Sequence, residues 1–232
     1  MSKKGILALL LVIGLPLTSY YIVKYYSEKA VGMPRHYFFD SVSEKVVGGK
    51  LVSDTVWHRI SNFTFVNQLN QKVAANDVSG KILIVDFFFT RCPNPCPTLT
   101  RNMKKMQDAY LKNDTLIQFI SFSVDPERDT VQALKSYADK FKVRHNNWWF
   151  LTGEKKTIYD LAFNEFKAAV VDGGEVDTAF LHTNKFYLLD KNRVIRGWYD
   201  GTDTVALSKL ARDISLLILE KDKTKKRNLF RK

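Results

Sequence analysis

Three features of the sequence predict an α/β domain with a partly parallel sheet and helices on both faces, preceded by one N-terminal transmembrane helix. The first is the apolar run at 82–89, ILIVDFFF, broken only by Asp86. A run of that kind is the pattern of a central strand covered on both faces. The second is alternation. From that run onward the chain reads strand, helix, strand, helix, strand, helix, then two strands and a last helix, and such βα alternation indicates parallel strands. The third is the uncharged stretch at 5–23, which as a helix would span ~28 Å against a hydrocarbon core of ~30 Å.

The 232 residues are enough for one sizeable core beyond that N-terminal segment, and 45% hydrophobic residues with 26% charged is a globular composition. The net charge of +12 invites a search for nucleic-acid motifs. None accompanies it. Part of the excess is local, since residues 220–232 hold seven basic and two acidic side chains. That tail is read as a solvated end, and no nucleic-acid partner is expected.

Taken in order, residues 1–4 form a short cytoplasmic N-terminus carrying Lys3 and Lys4, and 5–23 form the anchor in the lipid bilayer. Tyr20, Tyr21, Tyr25 and Tyr26 lie where an interfacial aromatic belt is expected. No A-x-A-like site follows the run, which favours an uncleaved anchor over a cleaved signal peptide. The expected location is therefore the inner membrane, single-pass, with the folded domain on the periplasmic side. Residues 24–54 read as a spacer containing Gly32, Pro34, Gly48 and Gly49, and 55–220 as the domain, followed by the basic tail 221–232.

Within the domain, 57–66 (WHRISNFTFV) has the alternation of a strand, 67–70 a turn, and 71–73 a short return strand. His36 and His58 are read as surface or packing histidines. After the strand at 82–89, Leu99, Met103, Met106 and Tyr110 recur at helical spacing over 97–111. Residues 116–124 form the next strand. Asp129 is expected to cap a helix at 130–141, with Gln132 as its capping-box partner. A short strand at 148–151 stops at Thr152-Gly153, and 155–166 is helical. Strands at 185–189 and 194–199 flank the turn Asp190-Lys191-Asn192. Residues 204–220 form the last amphipathic helix.

The only two cysteines, Cys92 and Cys96, fall just past the carboxyl end of the first long strand, where open α/β sheets place their sites. Pro97 suits the first position of a helix, which would put Cys96 at the N-cap. The dipole end there, with Arg91 nearby, is expected to lower a thiol pKa and favour the thiolate. Pro93 and Pro95 stiffen the loop between the thiols. A structural disulfide is a weak reason for the pair, because the loop it would close is short and its chain-entropy gain small. A metal needs further ligands, and two histidines remain. His145 lies in a polar loop and is expected to be solvated; His182 precedes a strand of the same sheet. Two thiolates and an imidazole suit Cu(I), or zinc with a fourth ligand.

Several separated motifs in order resemble the Sco/SenC family of copper proteins that assist assembly of cytochrome c oxidase. They are Phe87-Phe88-Phe89-Thr90-Arg91-Cys92-Pro93-Asn94-Pro95-Cys96-Pro97, then Ser123-Val124-Asp125-Pro126-Glu127-Arg128-Asp129-Thr130, then Leu151-Thr152-Gly153, then Leu181-His182-Thr183 before a strand ending Leu188-Leu189-Asp190. The resemblance implies a thioredoxin-like mixed sheet flanked by helices, with Cys92, Cys96 and His182 as copper ligands. It also implies redox activity of the Cys92–Cys96 pair as dithiol and disulfide. Asp125 matches an acidic position near the family's site, where it would orient a ligand or shape the loop; alone, it reads equally as a turn-former before Pro126. Asn94 stands where the family usually has Asp, and Thr183 where it usually has Ser. The implied function is a membrane-anchored metallochaperone, rather than an enzyme, for the copper-centre subunit of cytochrome c oxidase. Two alternatives remain open at this point: a thiol–disulfide oxidoreductase that keeps client cysteines reduced, and a thiol peroxidase. Trp148 and Trp149 are read either as strand packing or as client-facing aromatics, and Phe180 and Leu181 either as core or as an apolar rim that keeps water from a bound copper.

Overall fold

The structure is a computed structural model that describes residues 3–30, 32–47, 50–168 and 183–220, with the side chains of 3–11, 26–30, 45, 47 and 50–52 outside the description. The chain divides into two compact units, Met1–Met33 and Pro34–Lys232.

Among its described residues the first unit holds one helix, α1 (Lys3–Ala30), with Pro16 inside it. Val12, Ile13, Leu15, Leu17, Ile22 and Val23 are all more than half exposed. Among the described residues no helix is long and apolar enough to cross a membrane. The expected span at 5–23 is thus present as helix but not shown to be a membrane span.

The second unit begins inside the expected spacer. There β1 (Phe39–Val47) and β2 (Lys50–Trp57) pair antiparallel as a separate two-stranded sheet. The strand expected over 57–66 is not continuous: β2 ends at Trp57, and β3 (Thr64–Asn67) starts only after an irregular stretch. Long-range partners break it. Arg59 bridges to Val194, Ile60 N–H donates to the Arg193 carbonyl, and Ile60 and Phe63 turn into the core. The turn after β3 forms as expected, with the Asn67 side chain accepting from Leu69 and Gln71 N–H, and leads into β4 (Lys72–Ala74).

Among the described residues the main sheet has seven strands in the order β4-β3-β7-β6-β5-β8-β9. Its centre is β5 (Ile82–Phe88), β6 (Ile117–Ser123) and β7 (Trp148–Thr152), all parallel. β8 (Lys185–Leu189) runs antiparallel to β5, and β9 (Ile195–Asp200) antiparallel to β8. Among the described residues the α-helices of this unit are α2 (Cys96–Ala109), α3 (Val131–Lys140), α4 (Lys155–Asp160, continued by a π turn, Leu161–Glu165) and α5 (Thr204–Leu219).

Strand alternation decides the layers. Leu83, Val85 and Phe87 of β5 point to one face, with Ile120 and Phe122 of β6, and are covered by Ile158, Leu161 and Phe166 from the α4 region. Ile82, Ile84 and Phe88 point to the other, with Ile117 and Phe119, beneath Leu99 and Met103 of α2, Leu134 of α3 and Leu210 and Ile214 of α5. The mixed sheet flanked by helices is therefore the predicted thioredoxin-like architecture. Trp148 is fully buried, its Nε1–H donating to Ser121 Oγ at 3.0 Å, and Trp149 is half-buried against the opposite face. Gly201, after β9, sits where a Cβ would come within 2.5 Å of Leu99 and 2.8 Å of Phe186. Its carbonyl accepts from Asn102 of α2 at 2.8 Å, so the missing side chain lets α2 close on the end of the sheet.

The expected capping role of Asp129 is corrected. Thr130 is the N-cap of α3, its hydroxyl accepting from Ala133 N–H, while Asp129 is wholly buried and bonded elsewhere. The N-cap of α2 is Pro95, which makes Cys96 the first helical residue rather than the cap.

Candidate metal centre

The thiol loop is built by the end of β5 and the start of α2. Cys92 N–H donates to the Phe89 carbonyl at 3.3 Å, and Thr98 and Leu99 N–H both donate to the Pro95 carbonyl. Cys96 N–H donates to Cys92 Sγ at 3.4 Å, which brings one sulfur to the helix N-terminus that carries the other. The two are not joined in a disulfide, and they are only 4% and 1% exposed. They pack into the apolar cluster under α2 with Phe88 and Leu99.

That burial overturns the expected low thiol pKa. Burial pushes the Cys96 thiol well above its ordinary value, and the hydrogen bond with Cys92 pushes in the same direction. The helix N-terminus is a partial charge worth about 1 kcal/mol or less at an ordinary site, whereas removing a thiolate from water costs more. The structure thus holds Cys96 as a thiol.

Other sequence-derived site residues fall in three groups. His182, with Phe180 and Leu181, lies outside the described residues. Thr183, the next residue, is buried, and its hydroxyl accepts from Lys185 N–H at the start of β8. Because β8 is antiparallel to β5, that start lies at the same end of the sheet as the carboxyl end of β5. His145 belongs to the other end, before β7, where it bonds Gln68 at 3.1 Å and Asp139 at 3.2 Å. It is half-buried rather than solvated. His36 stacks on Trp57, and His58 bonds Asp40 at 2.7 Å, so both are packing histidines. Asp125 is 5% exposed after β6; its carbonyl accepts from Arg128 and Asp129 N–H, and its carboxylate meets Arg128 at 3.5 Å. Those bonds all lie within its own turn.

Beneath the thiols, on the same face of β5, lies a polar group in an apolar layer. Asp86 is 1% exposed, bonds Ser121, and its Oδ1 has no hydrogen-bond partner among the described residues. Burial raises its pKa from 3.8 to about 7. A folded value above the unfolded one means that its contribution to stability is full below about pH 4 and is lost as pH rises through 7. The swing is at most about 4 kcal/mol. Asp86→Asn is accordingly expected to be more stable than the parent at pH 8 and close to it at pH 4, by urea unfolding. Parallel pH profiles for the two proteins would refute this assignment.

The chemistry of the donor set fits a thiophilic metal: two convergent sulfurs in a water-poor, apolar niche that excludes hard, strongly hydrated cations. Comparison with known proteins identifies the family. The SCO1/SenC family model matches residues 55–218. The SCO1 protein homolog of Bacillus subtilis (strain 168) is 31% identical over 168 residues, covering 72% of this chain and 86% of that one. BsSco, a member of the Sco family of cytochrome c oxidase assembly proteins, has a solved structure that superposes with a TM-score of 0.60 at 31% identity, over 72% of this chain and 98% of that one. The structure of Arabidopsis thaliana ScoI with copper bound gives 0.53 at 24% identity, over 67% and 97%, a likeness of fold. With the family match covering most of its length and a relative above 30% identity across most of both chains, this chain belongs to the SCO1/SenC family.

Proposed function

We propose that this protein is a membrane-tethered carrier that takes up copper at Cys92, Cys96 and His182 and passes it to the copper-centre subunit of cytochrome c oxidase. The observation that carries the reading is the pair of buried, unbridged sulfurs at the carboxyl end of β5, beside the start of β8, in a chain of a family whose solved members include copper-bound structures. Copper here is cargo. A carrier must hold its metal firmly yet release it, and three protein ligands without a closed fourth leave a partner's ligand room to enter. The apolar surroundings of the sulfurs limit water access to the cargo. Asp125 acts on this site through its turn, by shaping the loop after β6.

The tether is α1. Its described apolar residues are exposed around the helix, the arrangement of a segment whose solvent is lipid. In this reading the uncharged run 5–23 lies in the bilayer and the folded domain lies on the periplasmic side. A thiol–disulfide exchange activity of the same pair is compatible with this role. Two thiols would give two electrons and two protons to a client disulfide and become a Cys92–Cys96 bridge. Disulfide exchange and attack on peroxide both need a thiolate, a form that the burial of Cys96 disfavours in either reaction.

Anaerobic reconstitution of the full chain with Cu(I), followed by mixing with an apo oxidase copper domain, tests the proposal. One copper per chain and its transfer to the acceptor are the expected results. Affinity unchanged in His182→Ala would remove the third ligand and with it the site.

A further inference from the structure

Asp129 carries a bonding pattern that a helix cap does not need. Its carboxylate is wholly buried and accepts three hydrogen bonds. Thr90 supplies two of them, from its main-chain N–H at 3.0 Å and from its hydroxyl. Ser123, the last residue of β6, supplies the third at 2.6 Å. Ser123 Oγ in turn accepts from Asp125 N–H at 3.2 Å, and Asp129 N–H returns to the Asp125 carbonyl at 2.9 Å. The neighbouring Thr130 caps α3. One carboxylate therefore joins the loop after β5, the end of β6 and the start of α3.

Thr90 is two residues before Cys92 and lies inside the turn closed by the bond from Cys92 N–H to Phe89. Fixing both donors of Thr90 fixes the turn from which the Cys92 sulfur projects. An apolar contact would join the two loops at lower desolvation cost, but it would not set their register; a buried polar network with every member bonded does. We propose that Asp129 is a positioning residue for the thiol pair, setting the placement of Cys92 relative to Cys96 through Thr90. It touches neither copper nor sulfur, and acts by geometry rather than by charge.

The inference rests on the copper reading for one of its two readouts only. The other is the dithiol–disulfide equilibrium of the metal-free full chain in glutathione buffers, in which Cys92 and Cys96 lose two electrons and two protons to oxidised glutathione, giving the bridge and two reduced glutathiones. Asp129→Ala and Thr90→Val are expected to shift that equilibrium constant by at least about threefold. They are also expected to weaken Cu(I) binding, in competition with a chromophoric chelator, by about 10- to 100-fold, as loss of an outer support does at metal sites. Asp129→Asn keeps an oxygen for Thr90 N–H and Ser123 and turns an amide toward the Thr90 hydroxyl, which can accept. It should stay within about threefold of the parent in both readouts. A general loss of packing would not be rescued in this way.

If Asp129→Ala does not fold, Thr90→Val decides alone. Folded variants that match the parent in both readouts overturn the proposal, and so does an Asp129→Asn protein as defective as Asp129→Ala, since charge would then be what matters. A parent that binds no Cu(I), while the metal-free equilibrium still shifts as expected, refutes the copper reading and leaves the positioning role standing.

Discussion

Cys96→Ser is expected to weaken Cu(I) binding by more than about a hundredfold, a larger loss than removal of an outer support brings. A serine hydroxyl fills nearly the same volume at the first position of α2, so packing beneath Leu99 and Phe88 is retained. It offers a hard, protonated oxygen where a soft metal needs sulfur. The same burial makes a second outcome follow. Because the thiol is held well above its ordinary pKa, a metal must displace its proton to bind. Apparent affinity of the parent should therefore climb between pH 6.5 and 8.5, by up to about tenfold per pH unit for each proton released, and the climb should be shallower in Cys96→Ser. Chelator competition at the two pH values measures both. Flat pH dependence in the parent would mean that the thiol is already ionised, contrary to its burial.

The second large effect belongs to stability. Arg196→Ala is expected to lower the unfolding free energy by about 3–5 kcal/mol, the cost of leaving a buried charge without its partner. Arg196 is 3% exposed on β9, and its guanidinium bonds three elements at once. It donates to Asp190 at 2.9 Å in the β8–β9 turn and to Glu220 at 2.9 Å after α5. It also donates to the Pro34 carbonyl at 3.0 and 2.7 Å, where this unit of the chain begins. Asp190, itself 6% exposed, would lose its guanidinium partner and keep the Asn192 and Val194 N–H donors on its other oxygen. Against a typical total of 5–15 kcal/mol this is a large share. Lysine should not restore it, since one ammonium cannot reproduce a planar fork. Asp190→Asn in the alanine background should recover part of the loss by removing a buried negative charge that no longer has its guanidinium. A change below about 1 kcal/mol in urea unfolding would place Arg196 among ordinary surface ion pairs.

Local patterning made most of the sheet legible. Periodicity and turn residues located β5, β6, β7 and the β8–β9 hairpin, because strand burial on one or both faces leaves a period in the sequence. It failed at 57–66, where alternation continues but Arg59 and Ile60 bond to Val194 and Arg193, more than a hundred residues away. It also failed at 39–57, where the antiparallel pair β1–β2 has largely exposed apolar side chains and no strong pattern to announce it. Asp129 was visible within its motif, yet its nearest apparent use, capping α3, belongs to Thr130. The carboxylate turns instead to Thr90, 39 residues earlier.

By itself, the sequence determined the α/β class, the central strand, the position of the two thiols beyond its carboxyl end and the family resemblance. Each follows from residue types and spacings that act within a few residues. Only the tertiary structure decided that the thiols are buried, that Cys96 is held protonated despite a helix N-terminus, and that Asp129 and Arg196 tie distant loops. Solvent exclusion and hydrogen-bond partners are set by segments that meet only when the chain has folded. The same helix start that would activate an exposed cysteine leaves this one a thiol, because α2 presses it into the apolar face of β5.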